Sequence, residues 1–274
     1  MQIELMGCTG AGKSTLARGI LQACREQGID AWMGDDFVLK QVRLNWVKSH
    51  LARTIWVDVC SLFACLVSWR NNLEFYRFTI RIVWQLPVAV GWFEKLNIVR
   101  NVLKKIGVYE IIRRRSSDQQ VVLVDEGSLH AAHNLFVHVS IEPNAGDLST
   151  FVRLAPRPDV AVYVMQPESV LIERTLARGH KRIPDRSYAR VERFVKRAVE
   201  TFDKIVRQSL PEGRLLVLDA QQNIIVSQGY PNDPPFAIAL KIIRAGIEAV
   251  TTDQPTGMRP DPSLQDVYAS KLLP

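Results

Sequence analysis

Gly7-Cys8-Thr9-Gly10-Ala11-Gly12-Lys13-Ser14-Thr15 is the stretch that decides the fold of this 274-residue chain. It follows a short apolar run at residues 2–6 and precedes a segment with helical periodicity. A strand, a G-x-x-x-x-G-K-[ST] turn and a helix form a phosphate-binding loop, because glycines let backbone amides approach an anion at the helix N-terminus. The pattern predicts a nucleoside triphosphate site. The alternative is a glycine-rich turn that binds no ligand.

The residue types of this loop suggest separate tasks. Lys13 is expected to reach the outer phosphates of ATP, and the Ser14 hydroxyl is expected to ligate Mg²⁺. Asp125 ends a later apolar strand, where a carboxylate beside the loop would share the metal. The predicted nucleotide-binding residues of the loop are Gly7, Gly10, Ala11, Gly12, Lys13, Ser14 and Thr15.

Composition is compatible with a nucleotide-binding protein without adding to the case. The formal charge of +7 and pI near 9.4 favour anionic partners. The four cysteines show no C-x-x-C pair and no zinc spacing, so we expect reduced thiols in a cytoplasmic protein. We expect no signal peptide, because a core strand directly follows Met1. We predict one domain over residues 1–250, with a helical insertion at about 37–115 and a flexible tail at 251–274.

Apolar runs separated by helical segments predict an α/β fold with parallel strands. The second strand ends at Asp35 and Asp36, which should lie near the loop because ligands gather at the carboxyl ends of parallel strands. One of the two acids could instead cap the next helix. Residues 142–158 look like a long loop. The predicted later strands are 29–33, 121–124, 159–165 and 214–220, and the helices outside the insertion are 13–27, 188–208 and 236–250.

The insertion at 37–115 differs in composition from the rest, since it holds five of the six tryptophans. Its most apolar run, residues 54–69, spans sixteen residues and carries Asp58, which is short of the roughly twenty apolar residues of a membrane span. We favour a buried core helix here. The alternative is an interfacial segment on an anionic membrane, with Lys104, Lys105 and Arg113–Arg115 as the basic contacts.

A basic stretch at about 174–187 predicts a lid over the phosphates. Arg174, Arg178 and Arg182 are the expected clamps, and Gly179 and Pro184 break the helix. The alternative is a solvated helix face. The histidines at 130, 133 and 138 lack a carboxylate or cysteine at ligand spacing, so we treat them as ordinary polar residues.

These motifs resemble the nucleoside monophosphate kinase superfamily, and most closely its thymidylate-kinase-like branch. The matching pieces are the loop, the acid-tipped strand ending at Asp125, the basic run from Arg174 to Arg182, and Leu218-Asp219-Ala220. The resemblance implies a three-layer P-loop sandwich with a five-stranded parallel sheet of order 2-3-1-4-5. It also implies ATP-Mg²⁺ as donor, a lid carrying arginines, and Asp219 and Ala220 near the adenine.

Two departures from that branch direct the choice of acceptor. The chain has Asp125-Glu126 where thymidylate kinases carry Asp-Arg, and the insertion is unusually long and rich in tryptophan. An acid in place of a phosphate clamp favours an acceptor with a hydroxyl, on a metabolite, sugar or lipid-linked molecule, over a nucleoside monophosphate. Asp35 or Asp36 would then act as base, with Glu126 next. A regulatory ATP-binding protein without acceptor and a nucleic-acid-dependent ATPase are the remaining rivals. No helicase or AAA-type arginine motif is evident, so we expect no nucleic-acid partner.

Overall fold

The sheet at the centre of the chain has six strands. The computed structural model describes residues 1–88, 90–117, 119–138, 144–209, 215–219, 223–228 and 234–252. The strands lie in the order β2-β3-β1-β4-β5-β6. Their bounds are β1 Gln2–Met6, β2 Ala31–Met33, β3 Val121–Val124, β4 Val160–Val164, β5 Leu215–Leu218 and β6 Ile224–Gln228.

The predicted order 2-3-1-4-5 of five parallel strands is confirmed. The sequence did not reveal β6, which pairs antiparallel with β5 at the edge of the sheet. Every residue of β1, β3 and β4 is buried. Strands buried in this way need cover on both faces, which is the three-layer arrangement of an α/β fold.

Ten α-helices surround this sheet within the described residues. α1 and α10 pack so closely that a Cβ on Gly19 would lie 2.5 Å from the carbonyl oxygen of Gly246. The predicted loop at 142–158 is wrong in part, because it contains α7, whose N-cap Asn144 accepts a hydrogen bond from the Gly146 amide at 2.8 Å. The helices are α1 Lys13–Glu26, α2 Gly34–Gln41, α3 His50–Val67, α4 Leu73–Gln85, α5 Trp92–Arg115, α6 Ala131–Phe136, α7 Ala145–Leu154, α8 Glu168–Arg178, α9 Tyr188–Ser209 and α10 Pro234–Thr252.

Helices α2 to α5 cover most of residues 37–115, the segment that we call the insertion, and α3 is not the buried core helix that we favoured. Its buried residues are Val57, Asp58, Ser61 and Cys65, and its long apolar side chains are exposed. α3 packs on α5 at very short range, because a Cβ on Gly107 would lie 2.1 Å from the Ser61 carbonyl oxygen. A small polar face therefore joins α3 to the protein.

The predicted tail overlaps the end of α10, which continues to Thr252. The remainder of that tail, residues 253–274, lies outside the described residues.

Candidate active site

The loop between β1 and α1 lines one side of a large cleft. Gly12 is the N-cap of α1 with a φ of +95°, a conformation that favours glycine, and no atom lies within 4 Å of its would-be Cβ. Gly7 has a different constraint, since a Cβ there would lie 2.6 Å from the Val164 carbonyl oxygen of β4. The first turn of α1 carries no acidic residue, so the positive end of its dipole stays available to an anion.

The two polar side chains that follow Gly12 have defined partners. The Lys13 ammonium donates hydrogen bonds to the carbonyl oxygens of Gly7 and Cys8, both at 3.1 Å. The Ser14 hydroxyl donates to Asp125 Oδ2 at 2.5 Å. Lys13 is therefore folded back on the loop, and Ser14 joins the end of β3 to the start of α1.

Asp125 offers the chemistry that a magnesium ion needs. Its Oδ1 atom is buried with no hydrogen-bond partner among the described residues. Burial raises the pKa of the carboxyl, although the Ser14 hydrogen bond and the Lys13 charge oppose the rise. A buried carboxylate oxygen beside a hydroxyl is a fitting donor set for a hard divalent cation. These two residues fit the metal role that the sequence suggests.

The cleft has a volume of about 1320 Å³ and is lined on its other side by the end of α8 and the basic segment that follows it. The Arg174 guanidinium donates to the Gly10 carbonyl oxygen at 2.8 Å, and Arg178 also lines the cleft. Arg182 differs, because it donates to the carbonyl oxygens of Val137 at 2.6 Å and Asn134 at 3.4 Å. All three arginines line the cleft, but Arg174 contacts the loop, whereas Arg182 attaches the basic segment to the end of α6.

A smaller cavity of about 390 Å³ lies beside the cleft and shares Asp125 and Glu126 with it. Asp35 lines this cavity and pairs with Lys104 at 3.1 Å. Asp36 pairs instead with Arg53 of α3. The expected cap is absent, because the N-cap of α2 is Met33 and no side chain caps it. The two neighbouring acids therefore have different surroundings, and only Asp35 lines the smaller cavity.

Sequence reasoning did not select Lys105 or the histidines as site residues. The buried Lys105 ammonium donates to the backbone oxygen of Glu126 at 2.9 Å and to its Oε2 at 3.1 Å. Desolvation opposes ionisation of Glu126, but the ammonium charges of Lys105 and Lys13 outweigh it and hold the pKa of this partly exposed carboxyl well below the usual range. Glu126 is therefore ionised. Lys105 lies in a helical segment among apolar residues, and nothing in the sequence indicated that it belongs to the site.

His130 and His133 stack with their ring centroids 5.3 Å apart and line the large cleft. Burial holds the pKa of each well below 6.5, so both rings are neutral. His130 Nδ1 and His133 Nε2 have no hydrogen-bond partner within the described part of the chain. The spacing of three residues was visible in the sequence, but their burial was not.

Glu4 supports this region from the middle of β1. Its fully buried carboxylate accepts hydrogen bonds from the His130 amide at 2.9 Å and the Ser128 hydroxyl at 3.1 Å. Burial raises the pKa of Glu4 to about 7. The contact with Gly127 is so close that a Cβ there would lie 2.4 Å from Glu4 Oε2. Glu4 thus fixes the turn that carries Asp125 and Glu126.

Asp219 has a structural task at the far end of the sheet. Its carboxylate accepts hydrogen bonds from the Asn223 amide at 2.7 Å and from the Asn223 side chain at 3.1 Å. These bonds join the end of β5 to the residue that precedes β6. Ala220, the second residue expected near the adenine, lies outside the described residues.

The loop, the strand order and the cleft define an α/β protein with the P-loop nucleotide-binding fold. No protein-family model matches the sequence, and no curated protein matches it. A solved structure of deoxyadenosine kinase from M. mycoides, with the products dCMP and a flexible dCDP bound, is 13% identical with a TM-score of 0.43. The match covers 92% of this chain and 97% of that one. The same kinase with bound dATP is 13% identical with a TM-score of 0.40, covering 89% and 100%.

Proposed function

We propose that this chain is an ATP-dependent kinase that transfers the γ-phosphate to a hydroxyl group of a small acceptor. The observation that supports this most strongly is the shared cleft. The loop amides, Lys13 and Ser14 line it from one side, and Arg174 and Arg178 line it from the other. Cationic donors on both sides of one space suit a triphosphate whose terminal group is transferred.

The donor half of the mechanism depends on the loop. Its amides and the N-terminus of α1 would bind the phosphates, and Lys13 would exchange its two carbonyl partners for the outer phosphate oxygens. Ser14 and Asp125 would hold a magnesium ion, which when bound neutralises charge on the phosphate oxygens. Arg174 and Arg178 would stabilise the charge that develops on the transferring group.

The acceptor half depends on the smaller cavity. Asp35 and Glu126 are its carboxylates besides Asp125, and Asn101 and Asn134 provide amide groups. A carboxylate within reach of a hydroxyl can orient it and take its proton during transfer. We propose Asp35 as this base, because Glu126 has a neighbour at each carboxylate oxygen, Lys105 at 3.1 Å and His130 at 3.6 Å, whereas within the described residues Asp35 is paired through Oδ2 alone, with Lys104.

The polar lining suits a hydroxyl-bearing acceptor such as a nucleoside, a sugar or the headgroup of a lipid-linked molecule. A nucleoside monophosphate kinase is the second candidate, favoured by Lys104 and Lys105 in the same lining. Their pairing with Asp35 and Glu126 counts against it, because neutralised ammonium groups bind a phosphate less strongly.

An ADP-release assay over nucleosides, their monophosphates, sugars and lipid-linked glycans separates these candidates. The proposal expects release that depends on a hydroxyl acceptor, and dependence on a monophosphate would favour the second candidate. ATP hydrolysis or binding without any acceptor dependence would favour a regulatory protein.

The triphosphate site has its own test in Lys13→Ala. We expect Mg-ATP binding to weaken at least tenfold, measured by calorimetry, because a charge-assisted contact is lost. Thr15→Ser in the same loop is the matched control and should leave ATP affinity within about twofold of the wild-type value. An unchanged affinity in Lys13→Ala would refute the donor site.

A further inference from the structure

Helix α3 presents its most apolar stripe to solvent. Leu51, Ile55, Val59, Phe63 and Leu66 recur every three or four residues along it, and Leu66 is 73% exposed. Its buried face consists mainly of small or polar residues. Of the described helices, α3 alone is long and apolar enough to cross a membrane by length and composition, with 17% of that stretch buried. This is the reverse of the pattern that packing against a protein core produces.

Exposed apolar side chains also occur on α4 and α5 of the insertion. The five tryptophans of the insertion are all exposed, and Trp84 of α4 contacts Trp92 of α5 edge to face at 5.9 Å. Phe93 is 86% exposed and also lines the large cleft. We call this set the aromatic surface. Its members are Trp46, Leu51, Ile55, Trp56, Val59, Leu62, Phe63, Leu66, Val67, Trp69, Ile80, Trp84, Val88, Trp92, Phe93 and Leu96.

Positive charge accompanies the aromatic surface. Residues 46–96 carry six lysines and arginines against three acids, of which Asp58 is buried and paired with Arg100. Within the described part of the chain, Lys48, Arg70 and Arg77 form no ion pair, and all three are exposed. Arg77 shares a shallow groove of about 440 Å³ with Ile80 and Trp84. Unpaired cations thus lie among exposed tryptophans.

We propose that the aromatic surface docks on an anionic lipid bilayer. Tryptophan rings favour the boundary between headgroups and acyl chains, and arginine can extend its guanidinium to lipid phosphates while its stem stays in the apolar layer. A second copy of the chain fits less well, because a two-fold interface places the same patch against itself and would oppose like charges. The ion pair of Asp58 with Arg100 keeps α3 attached to α5, so the helix lies on the bilayer instead of crossing it. This proposal does not depend on the kinase activity.

Co-sedimentation of the full chain with vesicles tests it. We expect binding to vesicles of phosphatidylglycerol and phosphatidylcholine in equal parts, release at high salt, and little binding to phosphatidylcholine alone. Vesicles with brominated acyl chains should quench the tryptophan fluorescence of the wild-type protein, which requires no variant. Absence of both effects at low salt would overturn the proposal.

Variants with matched controls test which residues contact the bilayer. Phe63→Gln with Leu66→Gln should weaken binding by about tenfold or more, because two apolar side chains lose their place in the bilayer. Ile238→Gln changes an exposed apolar residue of α10 and should have no effect. Arg70→Gln with Arg77→Gln should weaken binding roughly 25-fold, at about fivefold for each arginine. Arg25→Gln with Arg193→Gln removes the same charge elsewhere and should leave binding nearly unchanged.

Two outcomes of these experiments contradict the proposal. One is equal vesicle binding by the surface variants and their controls. The other is a stable dimer in light scattering that Phe63→Gln with Leu66→Gln dissociates, which would assign the surface to a second copy. Thermal melting of each variant should match the wild type, because the changed side chains are exposed.

Discussion

One helix of the sheet region, residues 1–33 and 121–252, and one helix of the helical insertion, residues 37–115, bury opposite kinds of side chain. In α9 of the sheet region the buried residues include Phe194 and Phe202, and the exposed ones are mainly charged. In α3 of the insertion Asp58 and Ser61 are buried, while Leu66 is exposed. The periodicity of apolar and polar residues therefore shows that a helix has two different faces, but the element packed against the helix decides which face is buried.

The cleft lies where these two regions meet, and α5 of the insertion lines both it and the smaller cavity. Its middle contributes Lys104 and Lys105 to the smaller cavity, whereas its first turn carries Trp92 and Phe93 of the aromatic surface. An acceptor that enters the cleft would therefore pass close to the insertion. The comparison can be tested at this boundary and inside each region.

The largest expected effect is at the boundary, in Asp35→Asn. If Asp35 takes the acceptor proton, its loss should reduce single-turnover phosphate transfer by roughly 10²–10⁴-fold. ATP affinity and melting temperature should change little, because its ion pair with Lys104 is exposed and contributes at most about 1 kcal/mol.

Asp36→Asn is the control for this prediction. Asp36 points toward Arg53 of the insertion, so its loss should cost less than about 1 kcal/mol of stability and spare the transfer rate. Normal rates in both variants would exclude either acid as base and make Glu126 the next candidate.

The sequence predicted the five parallel strands because they have strong local signals, whereas β6 was missed. β1, β3 and β4 are short apolar runs, and the glycines of the loop mark the first turn. The helix α7 was missed although Leu148, Phe151 and Val152 have helical spacing, because the residues before it lacked periodicity. The predicted burial of α3 was wrong, because hydrophobicity alone assigns an apolar helix to the core.

The site was only partly predictable for a related reason. The loop motif selects Lys13 and Ser14 by spacing, and Asp125 follows from its place at a strand end. Arg182 was grouped with Arg174 and Arg178 because all three lie in one basic run, but it donates to carbonyl oxygens at the end of α6. Hydrogen-bond partners distant in sequence, such as Glu4 and His130, have no local pattern that reveals them.

The second prediction compares one substitution in the two regions. Leu148→Ala in α7 removes a fully buried side chain and should cost about 2–5 kcal/mol of unfolding free energy. Leu66→Ala in α3 should change stability by less than about 0.5 kcal/mol, since that side chain is exposed in the isolated protein. Urea denaturation without lipid measures both. A large cost for Leu66→Ala would mean that α3 is covered in solution.

The third prediction concerns Glu4, a carboxyl that is buried among the apolar side chains of the sheet region. Burial raises the pKa of Glu4 from 4.5 to about 7. Below about pH 4.5 the carboxyl is protonated in both states, so it costs the folded protein nothing. Between about pH 4.5 and about pH 7 this carboxyl is ionised in the unfolded chain but still protonated in the folded protein, so the free energy of unfolding falls. Above pH 7 the loss is complete at about 3 kcal/mol.

Glu4→Gln isolates this effect, because glutamine cannot ionise and still offers an oxygen to the His130 amide. Its stability relative to wild type should rise by about 3 kcal/mol from about pH 5 to about pH 8, measured by urea denaturation. The buried neutral histidines act in the opposite sense, losing stability as pH falls below about 6.5, but they are common to both proteins and cancel. Glu200→Gln, at an exposed position of α9, should differ from wild type by less than about 0.5 kcal/mol at each pH. A difference for Glu4→Gln that stays constant with pH would mean that the folded protein ionises this carboxyl as readily as the unfolded chain, and that Lys105 and the surrounding hydrogen bonds fully compensate its burial.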